Sequence, residues 1–269
     1  MYNFDYVKPG SLAEAVEALK AEDAVALGGG QTLIPTLKQR LASPSVLVDL
    51  GGCLDNAVLV VRDGDCQIGG GATHATVAAS QHAPKWLRAV AEGIGDPQVR
   101  NRGTIGGSVA NNDPSACYSA AVLGAGATIT TNARTIAADD FFRGMFETAL
   151  DEGEIVTAVT FPTAGSVSQP AVIAANYQKF VQPASRFALV GVFVAKRTDG
   201  VRVAVTGASE SGVFRWSQAE AALSANFSAD AVAGLNVSPD GMIGDLHGSP
   251  EYRAHLVGVM TRRAVTACG

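Results

Sequence analysis

The chain has 269 residues, 47% of them apolar and 17% charged, which gives ample material for a buried core and argues against disorder. A net charge of −5 with scattered basic residues excludes a general nucleic-acid surface. No apolar run reaches the roughly 18 residues of a membrane span and no basic-then-apolar leader opens the chain, so a cytoplasmic protein without a membrane span is expected.

In chain order, Ser11-Leu12-Ala13-Glu14 is a capping box, and Leu12, Ala15, Val16 and Leu19 continue at helical spacing. Ala24 to Leu27 predicts a short strand that runs into Gly28-Gly29-Gly30-Gln31-Thr32. A short helix over Leu33 to Arg40 and a strand over Ser45 to Leu50 follow. Val58 to Val61, a turn at Asp63-Gly64 and Cys66 to Gly69 read as a hairpin. Thr76 to His82 and Lys85 to Ala91 read as helices separated by Pro84. Gly95 to Ser108 is so rich in glycine and polar residues that it reads as loop throughout. Helix is expected over Ser115 to Gly124 and Asp139 to Phe146, and strand over Ala127 to Thr131 and Glu154 to Phe161. Pro162 to Pro170 carries no charge and reads as a linker. Beyond it, strands near Ala171 to Phe180, Phe187 to Arg197 and Val201 to Ala208 include a hairpin turn at Asp199-Gly200. Helices are expected over Ala219 to Leu223, Ala229 to Leu235 and Pro250 to Thr266. The C-terminal part is therefore an α+β unit, an antiparallel sheet followed by helices.

Two glycine-rich loops stand out: Gly28-Gly29-Gly30-Gln31-Thr32-Leu33 and Gly103-Thr104-Ile105-Gly106-Gly107-Ser108, roughly 75 residues apart. Tandem glycines let backbone N–H groups converge on an anion, and the neighbouring hydroxyls add donors. Such loops suit a pyrophosphate held between two lobes; they equally suit tight turns. Neither fits the Rossmann fingerprint or the P-loop pattern, and no nucleophile elbow is present.

Cys53, Cys66, Cys117 and Cys268 form no C-x-x-C pair, and His74, His82, His247 and His255 form no helical pair, so no metal site is expected. Acid–base candidates are few. Asp139-Asp140 reads as a helix cap and Asp113-Pro114 as a turn. Cys117 has no basic residue near it in sequence, so an activated thiolate is not expected. His74 reads as a structural histidine or as a neighbour of a ligand. A nucleotide cradle without catalytic side chains points to chemistry done by a bound cofactor.

At these loops the sequence resembles the FAD-binding medium subunit of the molybdenum hydroxylases, the CO dehydrogenase and xanthine dehydrogenase group. The family's A-G-G-[HQN]-[ST]-L and T-I-G-G-[NS] loops correspond to Gly28 to Leu33 and Thr104 to Ser108. Gly95-Asp96-Pro97-Gln98-Val99-Arg100-Asn101, Ala138-Asp139-Asp140-Phe141-Phe142, Pro9 to Ala15 and Glu251-Tyr252-Arg253 extend the match over essentially the whole chain.

The resemblance implies an α+β protein: a two-lobed FAD-binding fold of the vanillyl-alcohol-oxidase (PCMH) type, in lobes 1–56 and 57–165, and a C-terminal α+β domain over 170–269. It implies FAD as cofactor. Gly28, Gly29, Gly30, Gln31, Thr32, Leu33, Thr104, Ile105, Gly106, Gly107 and Ser108 would hold the pyrophosphate. Ile94 and Gly95 would line the flavin, and Lys179 would lie near the isoalloxazine as a cation or stand as a solvated strand lysine. No catalytic acid or base is expected. The implied role is electron transfer within a heterotrimer, in a dimer of trimers. Electrons would come from a two-iron, two-sulfur small subunit, which serves a molybdopterin-containing large subunit, and would leave to an external acceptor. The chain departs from the family where Cys117 stands at a position that often carries Asp, and where Pro183 to Ala188 keeps Arg186 without an acidic residue. Two other readings stay open: a self-sufficient FAD oxidoreductase using His74, and a flavin-free assembly subunit.

Overall fold

The computed structural model describes residues 1–60 and 62–268; Val61, in the expected first hairpin, lies outside them. Three sheets organise the chain. The first is parallel, in the order β1 (Asp5–Val7), β3 (Val46–Asp49), β2 (Ala24–Leu27), with helix α1 (Leu12–Ala18) after β1 and helix α2 (Leu33–Lys38) between β2 and β3. The capping box forms with a shift. Ser11 Oγ accepts from Glu14 N at 3.2 Å, whereas the Glu14 carboxylate accepts from Gly10 N at 2.8 Å, one residue earlier than the standard box. Ala15, Leu19, Val48, Leu50 and Ile155 form the small core beneath this sheet.

The second sheet is antiparallel. Its strands are β4 (Val58–Val60), β5 (Cys66–Gly69), β6 (Thr128–Thr131), β7 (Thr135–Ala137) and β10 (Val156–Phe161), ordered β4-β5-β10-β6-β7. Helices α3 (His74–Ala79), α4 (Lys85–Glu92), α5 (Pro97–Arg100), α6 (Ile105–Asn111) and α7 (Cys117–Ala125) fill the connection from β5 to β6. The expected helix over Asp139 to Phe146 is shorter: α8 (Ala138–Phe141) gives way to a hairpin of β8 (Phe142–Gly144) and β9 (Glu147–Thr148). The Asn112 amide fixes this hairpin, donating to Gly144 O at 2.7 Å and Glu147 O at 2.8 Å.

The third sheet is an antiparallel meander of β11 (Val172–Val181), β12 (Ala188–Arg197), β13 (Gly200–Thr206) and β14 (Phe214–Arg215). Strand β12 is buried along nearly its whole length, because helices cover both faces of the sheet. Helices α9 (Ser217–Ala225) and α10 (Pro250–Cys268) lie on one side. On the other lies α7, every residue of which is buried. The expected helix over Ala229 to Leu235 is a 3-10 turn, Ala229–Val232, capped by Ser228 and followed by Gly234.

Helix α7 joins the second sheet to the third. Gly124 brings it so close that an added Cβ would sit 2.5 Å from Phe193 Cδ1. Carbonyls of its last turn, where helical partners run out, are met from the third sheet, Leu123 O in addition to its bond from Gly126 N. Arg197 donates to Ala125 O at 2.7 Å and Arg202 to Leu123 O at 3.2 Å. Trp86 packs edge-on against both Phe161 and Phe193, with ring centroids 5.8 and 5.3 Å away. Asp139, in the first turn of α8 rather than at its cap, pairs with Arg202 at 2.9 Å and Arg215 at 3.2 Å.

Candidate functional site

The two glycine-rich loops meet. Gly28, Gly29 and Gly30 leave the end of β2, and Gly30 adopts φ +71°, the left-handed conformation that lets the chain turn into α2. A Cβ on Gly29 would lie 1.9 Å from the Arg102 carbonyl oxygen and 2.7 Å from Gly103 Cα. A Cβ on Gly28 would lie 3.1 Å from Thr104 Oγ1 and 4.0 Å from Gly107 Cα. The first sheet's loop therefore rests on the second loop, backbone against backbone. Among the described residues, no acceptor meets the amides of Gly29, Gly30, Gln31 and Thr32.

The second loop differs from its sequence reading. Gly95 to Ser108 is not loop throughout. Asp96 caps α5 by accepting from Val99 N at 2.8 Å, with Pro97 at the first helical position, and Thr104 caps α6 by accepting from Gly107 N at 3.1 Å. Gly106 and Gly107 lie in the first turn of α6. Their amides do not face an anion. Ile105 N donates to Ala72 O and Gly106 N to Gly70 O, each at 3.0 Å, while Gly107 N is held by the Thr104 cap. This loop instead offers hydroxyls, on Thr104 and Ser108, and a bare surface. Packing explains Gly106, whose Cβ would fall 2.6 Å from Gly70 O. Gly107 has no such reason. It is exposed, and its Cβ would meet only Thr104 Oγ1, at 3.0 Å. A position kept bare beside unpartnered amides fits an elongated anionic ligand such as a pyrophosphate.

Ile94 and Gly95 lie at the end of α4 and are fixed by Arg100, whose guanidinium donates to both carbonyls at 3.0 Å. In sequence Arg100 is marked only as a cation in the short helix that Asp96 caps. Gly95 adopts φ +48°, which favours glycine there.

Lys179 reaches the same place from β11. Its ammonium donates to Gly93 O and to Arg186 O, each at 2.8 Å, and to Cys117 Sγ at 3.5 Å. The expectation that Cys117 has no basic neighbour is thus corrected: 62 residues separate the two in sequence, and the third sheet packing on α7 brings them together. The Tyr177 hydroxyl, on the same strand, is buried without a hydrogen-bond partner. Burial, and then the adjacent Cys117, push its ionisation well above the ordinary phenol range.

His74 begins α3, with its ring centroid 5.3 Å from that of Tyr118 and its Nδ1 buried without a partner. A Cβ on Gly103 would fall 2.5 Å from His74 Nε2. Burial, and then the charge of Arg100, hold the imidazole pKa down at about 4, so the ring is neutral near pH 7. A cavity of about 340 Å³ is walled by Gln182, Ser185 and Phe187 of the β11–β12 loop that Lys179 contacts, and by Ser115, Leu189 and Arg253.

No helix among the described residues is long and apolar enough to cross a membrane. The family described as the FAD binding domain in molybdopterin dehydrogenase matches residues 2–164. The nicotine 6-hydroxylase medium subunit of Paenarthrobacter nicotinovorans is 33% identical over 98% of this chain and 96% of its own length. The carbon monoxide dehydrogenase medium chain of Afipia carboxidovorans is likewise 33% identical, over 98% and 96%. The crystal structure of the Cu,Mo-CO dehydrogenase in its cyanide-inactivated form matches with a TM-score of 0.88 at 30% identity, covering 100% of this chain and 98% of that one. The chain therefore belongs to the FAD-binding medium subunits of the molybdenum hydroxylase family and has their α+β fold.

Proposed function

We propose that this chain binds one FAD where its two glycine-rich loops meet and serves as the electron-transfer subunit of a molybdenum hydroxylase. The observation that carries this reading is the meeting itself: Gly28 against Thr104 and Gly107, beside the unpartnered amides of Gly29 to Thr32. Those amides, with Gln31 and Leu33 at the start of α2, would hold the pyrophosphate from one side. Thr104 and Ser108 would meet it from the other, with Ile105 and Gly106 packed beneath them. Ile94, Gly95 and Lys179 would lie along the isoalloxazine. Bound there, FAD supplies two-electron redox chemistry.

The chain's own residues orient the cofactor and exclude water. No acid or base is assigned a proton. His74 is held neutral by burial, and its ring packs against Tyr118 and Gly103. With lobes at 1–56 and 57–165 and a C-terminal domain at 170–269, the two loops would lie on different lobes. The relatives named as medium subunits or chains support partners of larger and smaller size; on this reading the large one carries molybdopterin and the small one the iron–sulfur clusters that donate electrons.

The test is the visible spectrum of the purified chain before and after adding FAD, and again after co-expression with the partner subunits. Stoichiometric flavin bands are expected. Gly107→Leu should weaken FAD binding at least about tenfold, or about 1.4 kcal/mol, and its FAD-free thermal midpoint should fall less than that of Gly106→Leu, since the new Cβ meets the Thr104 hydroxyl and no backbone atom. Gly106→Leu should unfold the loop as well, because it drives into Gly70. Absence of flavin from the assembled complex would overturn the reading.

A further inference from the structure

We propose that Cys117 is a positioning residue of the flavin site, one that completes the acceptor set of Lys179 without neutralising it and so leaves a positive charge beside the isoalloxazine. This rests on the proposed FAD site. An ammonium group has three donors, and those of Lys179 meet three acceptors on three separate segments: Gly93 at the end of α4, Arg186 in the β11–β12 loop and Cys117 at the start of α7. The lysine is therefore a three-way clamp. It holds the Gln182 to Phe187 loop, one wall of the neighbouring cavity, against α4 and α7. Arg186 sits there at φ +62°, its amide donating to Gln182 O at 2.8 Å, so the loop presents its carbonyl to the lysine at some backbone cost.

Two of the acceptors are neutral carbonyls, and the third is a sulfur that the Tyr177 side chain also flanks. Among the described residues, no carboxylate pairs with Lys179. A carboxylate at position 117 would form an ion pair with the ammonium and cancel its field. Cys117 offers the ammonium one sulfur atom and no carboxylate. An uncompensated cation favours a ligand form that carries more negative charge, by direct Coulomb attraction in a partly desolvated site. Lys179 thus biases the site toward the reduced cofactor, and Cys117 leaves that bias in place.

The test uses the full chain loaded with FAD and four proteins: wild type, Cys117→Asp, Cys117→Ser and Lys179→Met. The primary readout is the two-electron midpoint potential, measured by equilibration with a redox dye. Cys117→Asp should lower the preference for reduced over oxidised FAD about tenfold, a fall of about 30 mV. Cys117→Ser, a neutral acceptor, should hold the wild-type potential, and Lys179→Met should fall as Cys117→Asp does. The second readout needs no cofactor. Trypsin cleavage after the exposed Arg186 should quicken about tenfold in FAD-free Lys179→Met, because the loop loses a charge-assisted hydrogen bond. Unchanged cleavage would overturn the clamp. Flavin bound normally with an unchanged potential in both Cys117→Asp and Lys179→Met would overturn the charge argument and leave the FAD reading standing. Should Cys117→Asp not fold, Cys117→Ser decides: a potential shifted from wild type would overturn the role given to Cys117, and an unchanged one beside a fall in Lys179→Met would uphold it. A wild-type complex without flavin would remove both readings.

Discussion

Gly106 and Gly107 are adjacent and both glycine, yet backbone packing accounts for Gly106 and not for Gly107. Sequence shows that both lack side chains; only the distances to Gly70 and to Thr104 separate the two reasons. His74 is a similar case, legible as a candidate and decided by its surroundings. Its folded pKa of about 4 lies below the ordinary 6.5. As pH falls below 6.5 the unfolded chain takes up a proton that the folded chain refuses until about pH 4. Stability from this group is therefore complete above pH 6.5 and is lost between 6.5 and 4, by about 3 kcal/mol in all. Denaturant midpoints at pH 7.5 and pH 4.5 should show this loss, and His74→Gln should reduce the slope across that window.

At the scale of elements, what the sequence shows follows the range of the forces involved. Helix α1 is written in Ser11 and Glu14, whose caps act within four residues. Helix α10 and the long meander strands are equally plain. Helix α6 is not, because glycine disfavours helix in isolation. Here Thr104 caps the helix, and Gly70 needs a partner without a side chain. Helix α7 carries the complementary lesson. A helix buried on every side has no polar stripe, so the sequence places this helix, expected over Ser115 to Gly124 and formed over Cys117–Ala125, without showing which face meets the third sheet. Its fit to the third sheet depends on Gly124. Gly124→Ala should cost about 1–3 kcal/mol, read as a lower denaturant midpoint, because the new methyl meets the Phe193 ring at 2.5 Å. The cost should shrink when Phe193 is shortened to Leu in the same chain.

At the scale of the whole molecule, the three sheets are joined unequally. The third is bound to the second by α7, by Arg197 and Arg202 on its terminal carbonyls, by Asp139 between two arginines and by Trp86 between two phenylalanines. Most of these contacts join residues far apart in sequence, so the sequence gives the pieces and not their docking. The Lys179–Cys117 contact escaped for the same reason. The first sheet is the lighter body. Three short parallel strands rest on a core of five buried residues, and its loop leans on the second through bare backbone at Gly28 and Gly29.

That lean has a thermodynamic consequence. A cofactor gripped by amides from one body and hydroxyls from another belongs to neither alone, so occupancy becomes part of the cohesion between them. At a free concentration 100 times Kd, such a ligand adds about 2.7 kcal/mol to the state that holds it. Hydrogen exchange should report the gain unevenly: amides of residues 5–50 should slow sharply when FAD is added, while those of α10 should barely respond. On this view the N-terminal fifth of the chain stays closed only as firmly as its nucleotide is held.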